Sequence, residues 1–375
     1  MAVHQVEHRN DAGDAVDGHG LALYGWDVGG AHVKICRMLG AEVQDLVQWP
    51  CPLWQGLQHL DAVLAEAVAR WPDLKTARHA VTMTGEMVDL FTHREAGVQT
   101  IALRLRQALA PADLRWYAGD AGFVAAEHAA EHWSQIASAN WLASARHAAS
   151  SIEGEGVLVD IGSTTTDLIA IRAGRVPSTA RSDAERLASS ELVYQGVVRT
   201  PLCALAQRIL WQGRPHNVMN EFFATTADVY RLTGQLNPAH DQQASADGAA
   251  KDLAATRQRL ARMIGLDARD GSAAEWLAFA QAWRGAQIDE LASQLQRVLS
   301  LHGCGPDTVL VSAGCGDFLV PALAARVGLD SVNGYGASVA RLRPADPTLA
   351  AWAQVCAPCI AVAALLELEL SPCGS

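Results

Sequence analysis

Apolar and polar positions follow two different periods along this chain. Short apolar runs at residues 21–24 and 33–39 flank a Gly-rich turn and predict two strands joined as a hairpin. Within residues 56–71, Leu57, Leu60, Val63, Leu64, Ala67 and Val68 recur at helical spacing, and the pattern stops before Pro72. A strand is predicted over 80–84, running into Gly85 and Glu86, and an Ala-rich helix over 136–149. A turn at 153–156 closes this half.

The theme then restarts. Residues 157–161 form a buried-strand run, followed by Gly162, Ser163, Thr164, Thr165, Thr166 and Asp167 and a returning strand over 168–171. Residues 237–251 are polar, with Pro, Asp, Gln and Gly, and read as a surface excursion. A third strand is predicted at 309–312, then a small-residue turn, a helix over 318–325 and an apolar helix over 360–370. No solenoid repeat is present. What recurs once is a hairpin with an Asp at the end of its first strand, Asp27 and Asp160. That recurrence predicts an α/β protein of two related lobes facing a cleft. The expected division is a disordered tail at 1–20, a first lobe at 21–150, a second at 151–345, and a helical segment at 346–375 packing back on the first lobe.

Composition narrows the partners. The 375 residues leave room for two large cores. A net charge of -11 argues against nucleic acid or an anionic membrane surface, since nothing offsets repulsion from phosphate. An anionic substrate would therefore need a metal or backbone donors. No stretch reaches the roughly 18 uncharged apolar residues of a membrane span, and residues 1–20 lack the apolar core of a secretory signal. A cytoplasmic protein is expected, with no membrane partner. Of the eight cysteines only Cys356 and Cys359 form a CxxC, without a second ligand pair, so reduced thiols are expected. A homo-oligomer is compatible with the sequence, which does not set the number of copies.

Two turns carry candidate chemistry. In the first, Asp27 at a strand end precedes Gly29 and Gly30, where backbone N–H groups can approach phosphate oxygens, and Lys34 adds a cation on the returning strand. Asp27 could hold Mg²⁺ through its water shell, although a plain hairpin turn asks for the same residues. In the second, Gly162, Ser163, Thr164 and Thr165 lie between Asp160 and Asp167, an assembly suited to phosphate and metal. Gly314 and Gly316, after a strand and before a helix, form a third turn where a flat group could lie against backbone. His128 and His132 match an H-x-x-E-H zinc pattern on an expected helix, but no third ligand stands at a recognisable spacing.

In this order the three turns resemble the actin, sugar-kinase and heat-shock ATPase superfamily, which implies two ribonuclease H-like lobes with a phosphate cleft between them. The segments 25–32, 83–87, 159–167, 198–201 and 224–231 are similar to its hydantoinase/oxoprolinase-like branch associated with tetrahydromethanopterin-linked one-carbon transfer. That resemblance implies a transferase of methanofuran or methylofuran assembly. Such an enzyme joins the phenol oxygen of γ-glutamyltyramine to an aminomethylfuran methyl diphosphate, releases pyrophosphate, and uses Mg²⁺. On this reading Asp27 and Asp160 serve the metal, with Asp167 in the phosphate-side chemistry. Gly29, Gly30, Lys34, Gly162, Ser163, Thr164 and Thr165 form the cradle. Glu86 would orient metal-bound water or take the phenol proton. Arg199 would hold a phosphate or the glutamyl carboxylate, Asp228 a substrate amine, and Gly314 and Gly316 the aromatic part. An ion pair or helix cap stays open for Glu86, Arg199 and Asp228, and an inherited scaffold turn for the two glycines. An ATP-dependent kinase or hydantoinase/oxoprolinase-type enzyme, and a non-catalytic nucleotide-switched scaffold, stay open as alternatives.

Overall fold

A computed structural model describes residues 21–344 and 346–371; the expected tail lies outside the described residues. β1 (Leu23–Val28) and β2 (His32–Leu39) form the first hairpin, with Asp27 directly opposite Lys34. β3 (Glu42–Pro50) extends it, and β4 (Arg78–Met83) joins β1 in parallel after the helix Gln58–Arg70. β5 (Asp113–Tyr117) and β6 (Phe123–Ala125) complete a six-stranded sheet of order β3-β2-β1-β4-β5-β6. Strand alternation divides this sheet between two cores. Tyr24, Trp26, Val28, Val33 and Ile35 pack with Leu60, Leu64, Ile101 and Leu105 of the helices on one face. Leu23, Cys36 and Met38 face the other way, and by the same period Asp27 and Lys34 share that second face.

The second sheet repeats the plan. β7 (Glu155–Ile161) and β8 (Thr166–Arg172) form a hairpin with Asp160 opposite Asp167. β9 (Leu192–Val193) borders β8, while β10 (Arg208–Trp211) and β11 (Arg214–Asn217) stand apart as a small hairpin. The long helix Ala273–His302 returns the chain to β12 (Val309–Ala313), which joins β7 in parallel, and β13 (Val332–Gly334) closes the order β13-β12-β7-β8-β9. Val157, Leu158, Val159 and Ile161 are fully buried, as expected of a strand covered on both faces.

The helix Ala357–Leu370 leaves the second lobe and packs on β1, β4 and the helix Asn140–Ala149. The approach is so close that a Cβ on Gly25 would lie 1.9 Å from the Cys359 carbonyl oxygen, so only glycine fits there. Among the described residues no single helix is long and apolar enough to cross a membrane. The pair Pro347–Val355 and Ala357–Leu370 reaches that length only across a 93° bend.

Three expectations need revision. The predicted helix over 136–149 is interrupted: Ser138 adopts φ +52° between a short turn of helix, Trp133–Ile136, and Asn140–Ala149. His128, exposed, and His132, half-buried, sit in tight turns before it and bond locally to Glu131 and Gln135, rather than lying on one helix face. Residues 237–251 do not merely face solvent. Gln242 bonds Gln48 and Gln243 bonds Ala31 and His32, so the segment straps the second lobe to the first.

Candidate active site in the interlobe cleft

Both hairpin turns line one cleft of about 490 Å³. They are built alike: Gly29 N–H donates to the His32 carbonyl at 2.9 Å, and Gly162 N–H to the Thr165 carbonyl at 2.8 Å. In the second turn the carbonyls are occupied from behind. Val197 N–H bonds Gly162 O, and Val198 and Arg199 N–H both bond Ser163 O. The N–H groups of Gly30, Ser163, Thr164 and Thr165 have no acceptor among the described residues. A row of such unpaired N–H groups at a turn is suited to an anion.

The carboxylates meet at the cleft floor. Asp27 Oδ2 lies 3.8 Å from Lys34 Nζ, while its Oδ1 is buried without a partner. Burial pushes the Asp27 carboxyl above its ordinary range, against the pull of Lys34. Asp160 is pushed up to about 7, by burial and by repulsion from Asp167 and Asp27, with Lys34 again opposing. Burial alone would make Lys34 easier to deprotonate, but Asp27 and Asp160 outweigh it and hold the ammonium charged. Asp167 is paired with Arg186, whose guanidinium lies 4.2 Å from the Trp141 ring and also meets Asp183 at 3.6 Å.

These groups fit a hydrated divalent cation. No three His, Cys, Asp or Glu side chains among the described residues could hold a bare ion. An unpartnered buried carboxylate oxygen, beside a second carboxylate that ionises only near neutrality, marks a place short of positive charge. Mg²⁺, which keeps several waters and needs one or two carboxylates, matches that set.

Arg199 projects from the segment tied to the second turn, and its guanidinium stacks 4.7 Å from the Trp54 ring centroid. Trp54 belongs to the opposite lobe, in the turn Leu53–Gln55, and Leu53 N–H bonds the Gly30 carbonyl. The pair therefore spans the cleft between the two loops. Trp54, Arg186, Tyr194, Ser138 and Asn140 all line the cleft, and the sequence assigns none of them a role there. Ser138 and Asn140 share one segment and the other three come from separate ones, and none carries a local signature. His32 also lines it and stood in plain view inside the first motif.

Four expected site residues lie elsewhere. Glu86 is 1% exposed beneath the floor, held by Ser138 and Arg94, with Gly97 of the next helix packed on its backbone. It does not line the cleft, because Ser138 stands there instead. Asp228 caps its own helix through Thr225 N–H and binds Arg231 and Arg259, so both oxygens are occupied in the core of the second lobe. Gly314 and Gly316 are pressed against the second hairpin. A Cβ on Gly314 would lie 2.5 Å from Asp160 Oδ1, and one on Gly316 2.5 Å from Ile161 Cγ2. Their smallness serves that packing and leaves no shelf for an aromatic group.

The family profile described as Hydantoinase/oxoprolinase matches residues 78–340. The chain belongs to the hydantoinase/oxoprolinase family. Among curated relatives of this hydantoinase/oxoprolinase chain is the (4-{4-[2-(gamma-L-glutamylamino)ethyl]phenoxymethyl}furan-2-yl)methanamine synthase of Methanocaldococcus jannaschii. It is 27% identical over 352 residues, covering 93% of this chain and 99% of the relative. The protein of the same name from Methanococcus vannielii is 31% identical over 153 residues, 41% of this chain and 68% of that one. Among solved structures, nucleotide-free acetone carboxylase, from work on ATP-dependent acetone carboxylation, is similar with a TM-score of 0.54 at 12% identity, covering 84% of this chain and 68% of that one. At that identity the likeness shows the fold, the two-lobed actin and sugar-kinase-like architecture implied by the order of the turns.

Proposed function

We propose that this hydantoinase/oxoprolinase chain is a cytoplasmic, Mg²⁺-dependent transferase that forms an aryl ether by displacing a diphosphate. The observation that carries the reading is the pair of matching turns over one cleft, with free N–H groups on the loops and Asp27 and Asp160 at the strand ends. The name shared by its relatives contains a phenoxymethyl link to a furan, the bond that such a transfer creates. The substrates are then γ-glutamyltyramine and an aminomethylfuran methyl diphosphate, in methanofuran or methylofuran assembly.

The phenol oxygen bonds to the furan-bound methylene carbon as the bond from that carbon to the diphosphate oxygen breaks, and the departing pyrophosphate takes the phenol proton. Gly30, Ser163, Thr164 and Thr165 donate N–H groups to the diphosphate, and Lys34 offsets its charge. Asp27 and Asp160 would hold the hydrated Mg²⁺, which neutralises charge on the leaving group. Arg199 orients the phenol substrate through its carboxylate, from the mouth of the cleft.

The test is pyrophosphate release by purified protein with Mg²⁺ and both substrates, beside a parallel reaction with ATP. Pyrophosphate matched by ether product, with ATP unspent, is the expected result. ATP consumption without ether would overturn it in favour of an ATP-dependent enzyme on the same fold.

A further inference from the structure

His32 follows the first turn and lines the cleft, 7% exposed. Its ring is gripped from the opposite lobe. The Gln243 side-chain nitrogen lies 3.2 Å from the Ala31 carbonyl oxygen and 3.1 Å from His32 Nε2. A carbonyl only accepts, so the group facing it is the amide NH₂ and not the amide oxygen. The second hydrogen of that NH₂ then points at Nε2, which must accept and carries no proton. The imidazole proton is left on Nδ1, which makes no hydrogen bond among the described residues.

The surroundings favour the uncharged ring. Lys34, Arg199 and His240 face it, and burial together with these groups lowers its pKa to about 3. The grip itself is anchored. Asp241, two residues before Gln243, binds Arg231 at 2.7 Å and Lys251 at 3.1 Å, and the His240 ring packs 5.1 Å from Trp352.

We propose that Gln243 fixes His32 as the neutral Nδ1–H tautomer, and that this N–H donates to a phosphate oxygen of the ligand held between the turns. His32 is then a binding residue of the first turn, and Gln243 a positioning residue supplied by the second lobe. A neutral donor is useful here because it adds a hydrogen bond without repelling the cation that Asp27 and Asp160 hold. The ligand class rests on the diphosphate reading of the cleft. The tautomer does not.

The test has two parts. Long-range ¹H–¹⁵N spectra of the full-length protein without ligand should show His32, identified by its loss in His32→Asn, in the Nδ1–H form. Gln243→Ala should turn that signal into a tautomer mixture. An Nε2–H ring in the wild type, or an unchanged signal in Gln243→Ala, would overturn the assignment. Separately, binding of Mg²⁺–pyrophosphate is measured by calorimetry. The side-chain nitrogen of Asn falls near Nδ1 and that of Gln near Nε2. His32→Asn should therefore bind within about threefold of wild type, while His32→Gln weakens binding roughly 10- to 100-fold, the loss of one hydrogen bond to an anion. Equal losses in the two variants would show that His32 only fills space. Neither part uses turnover, so a failure of ether formation does not decide the outcome.

Discussion

The two hairpins share a blueprint and differ in charge. Each has a four-residue turn, Gly29–His32 and Gly162–Thr165, closed by the same backbone bond, and each receives a parallel strand on the outer side of its first strand. Opposite the strand-end Asp, however, the first hairpin places Lys34 and the second places Asp167. The first turn therefore carries its own counter-ion, whereas the second concentrates negative charge that Arg186 relieves only on the Asp167 side. Asp160 is left without a cation on its own hairpin, and burial with its acidic neighbours pushes it up to about 7. A duplicated scaffold has become one site with a basic and an acidic half, suited to holding a phosphate and a metal side by side.

The largest break in this comparison should come from the two strand-end acids. Asp27→Asn and Asp160→Asn should each lower pyrophosphate release by roughly 10²- to 10³-fold while the far-ultraviolet spectrum stays native. A normal rate in either would remove that residue from the site. Next come the glycines behind the second hairpin. Gly314 has φ +84° and no room for a Cβ, so Gly314→Ala should cost about 1–3 kcal/mol in urea unfolding. Gly162 meets nothing closer than 3.4 Å, so Gly162→Ala should shift the midpoint much less. Equal effects would mean that the close packing on Asp160 is relaxed in solution.

A smaller effect sharpens the charge asymmetry. Asp160 keeps its proton in the folded protein between about 3.8 and about 7, where the unfolded chain has lost it. Folding therefore binds a proton in that window, and without metal its contribution to stability falls as pH rises through it. Asp160→Asn should flatten this decline and raise the metal-free melting temperature at pH 8 by a few degrees. Mg²⁺ binding to the wild type should weaken as pH drops below about 7, with proton release seen by calorimetry in buffers of different ionisation heat. An unchanged affinity at pH 6 would show that Asp160 is not at the metal. The mildest change is at the cleft mouth. Arg199→Gln removes the cation from the Trp54 face, and the weakened contact between the lobes should cost about 0.5–1 kcal/mol. The urea midpoint measures it, and an unchanged midpoint would mean that the stack does not hold the lobes together.

The periods and turns made the scaffold legible. Both hairpins, Asp27, Asp160 and the Gly-rich loops follow from short apolar runs broken by Gly and Thr, which are local features. What local pattern does not carry is assembly. Arg186 and Trp54 reach the cleft from a helix and a tight turn whose neighbours give no hint of it. Asp228 and Glu86 sit beside motif-like residues, yet the fold spends them on a helix cap and a buried ion pair. The strap at 237–251 looked solvent-facing because its polar side chains find their partners on the other lobe, far away in sequence.

The fit of Gly25 against Cys359 also orders events during synthesis. The first sheet is translated early, but the helix that covers its inner face follows the entire second lobe. Until then the cluster that takes in Leu23, Cys36 and Met38 lacks the residues of that helix, Cys359, Ile360 and Ala363 among them. The first lobe leaves the ribosome as a half-clad sheet and becomes a finished unit only when the returning helix closes it, so the two lobes mature together and not one after the other.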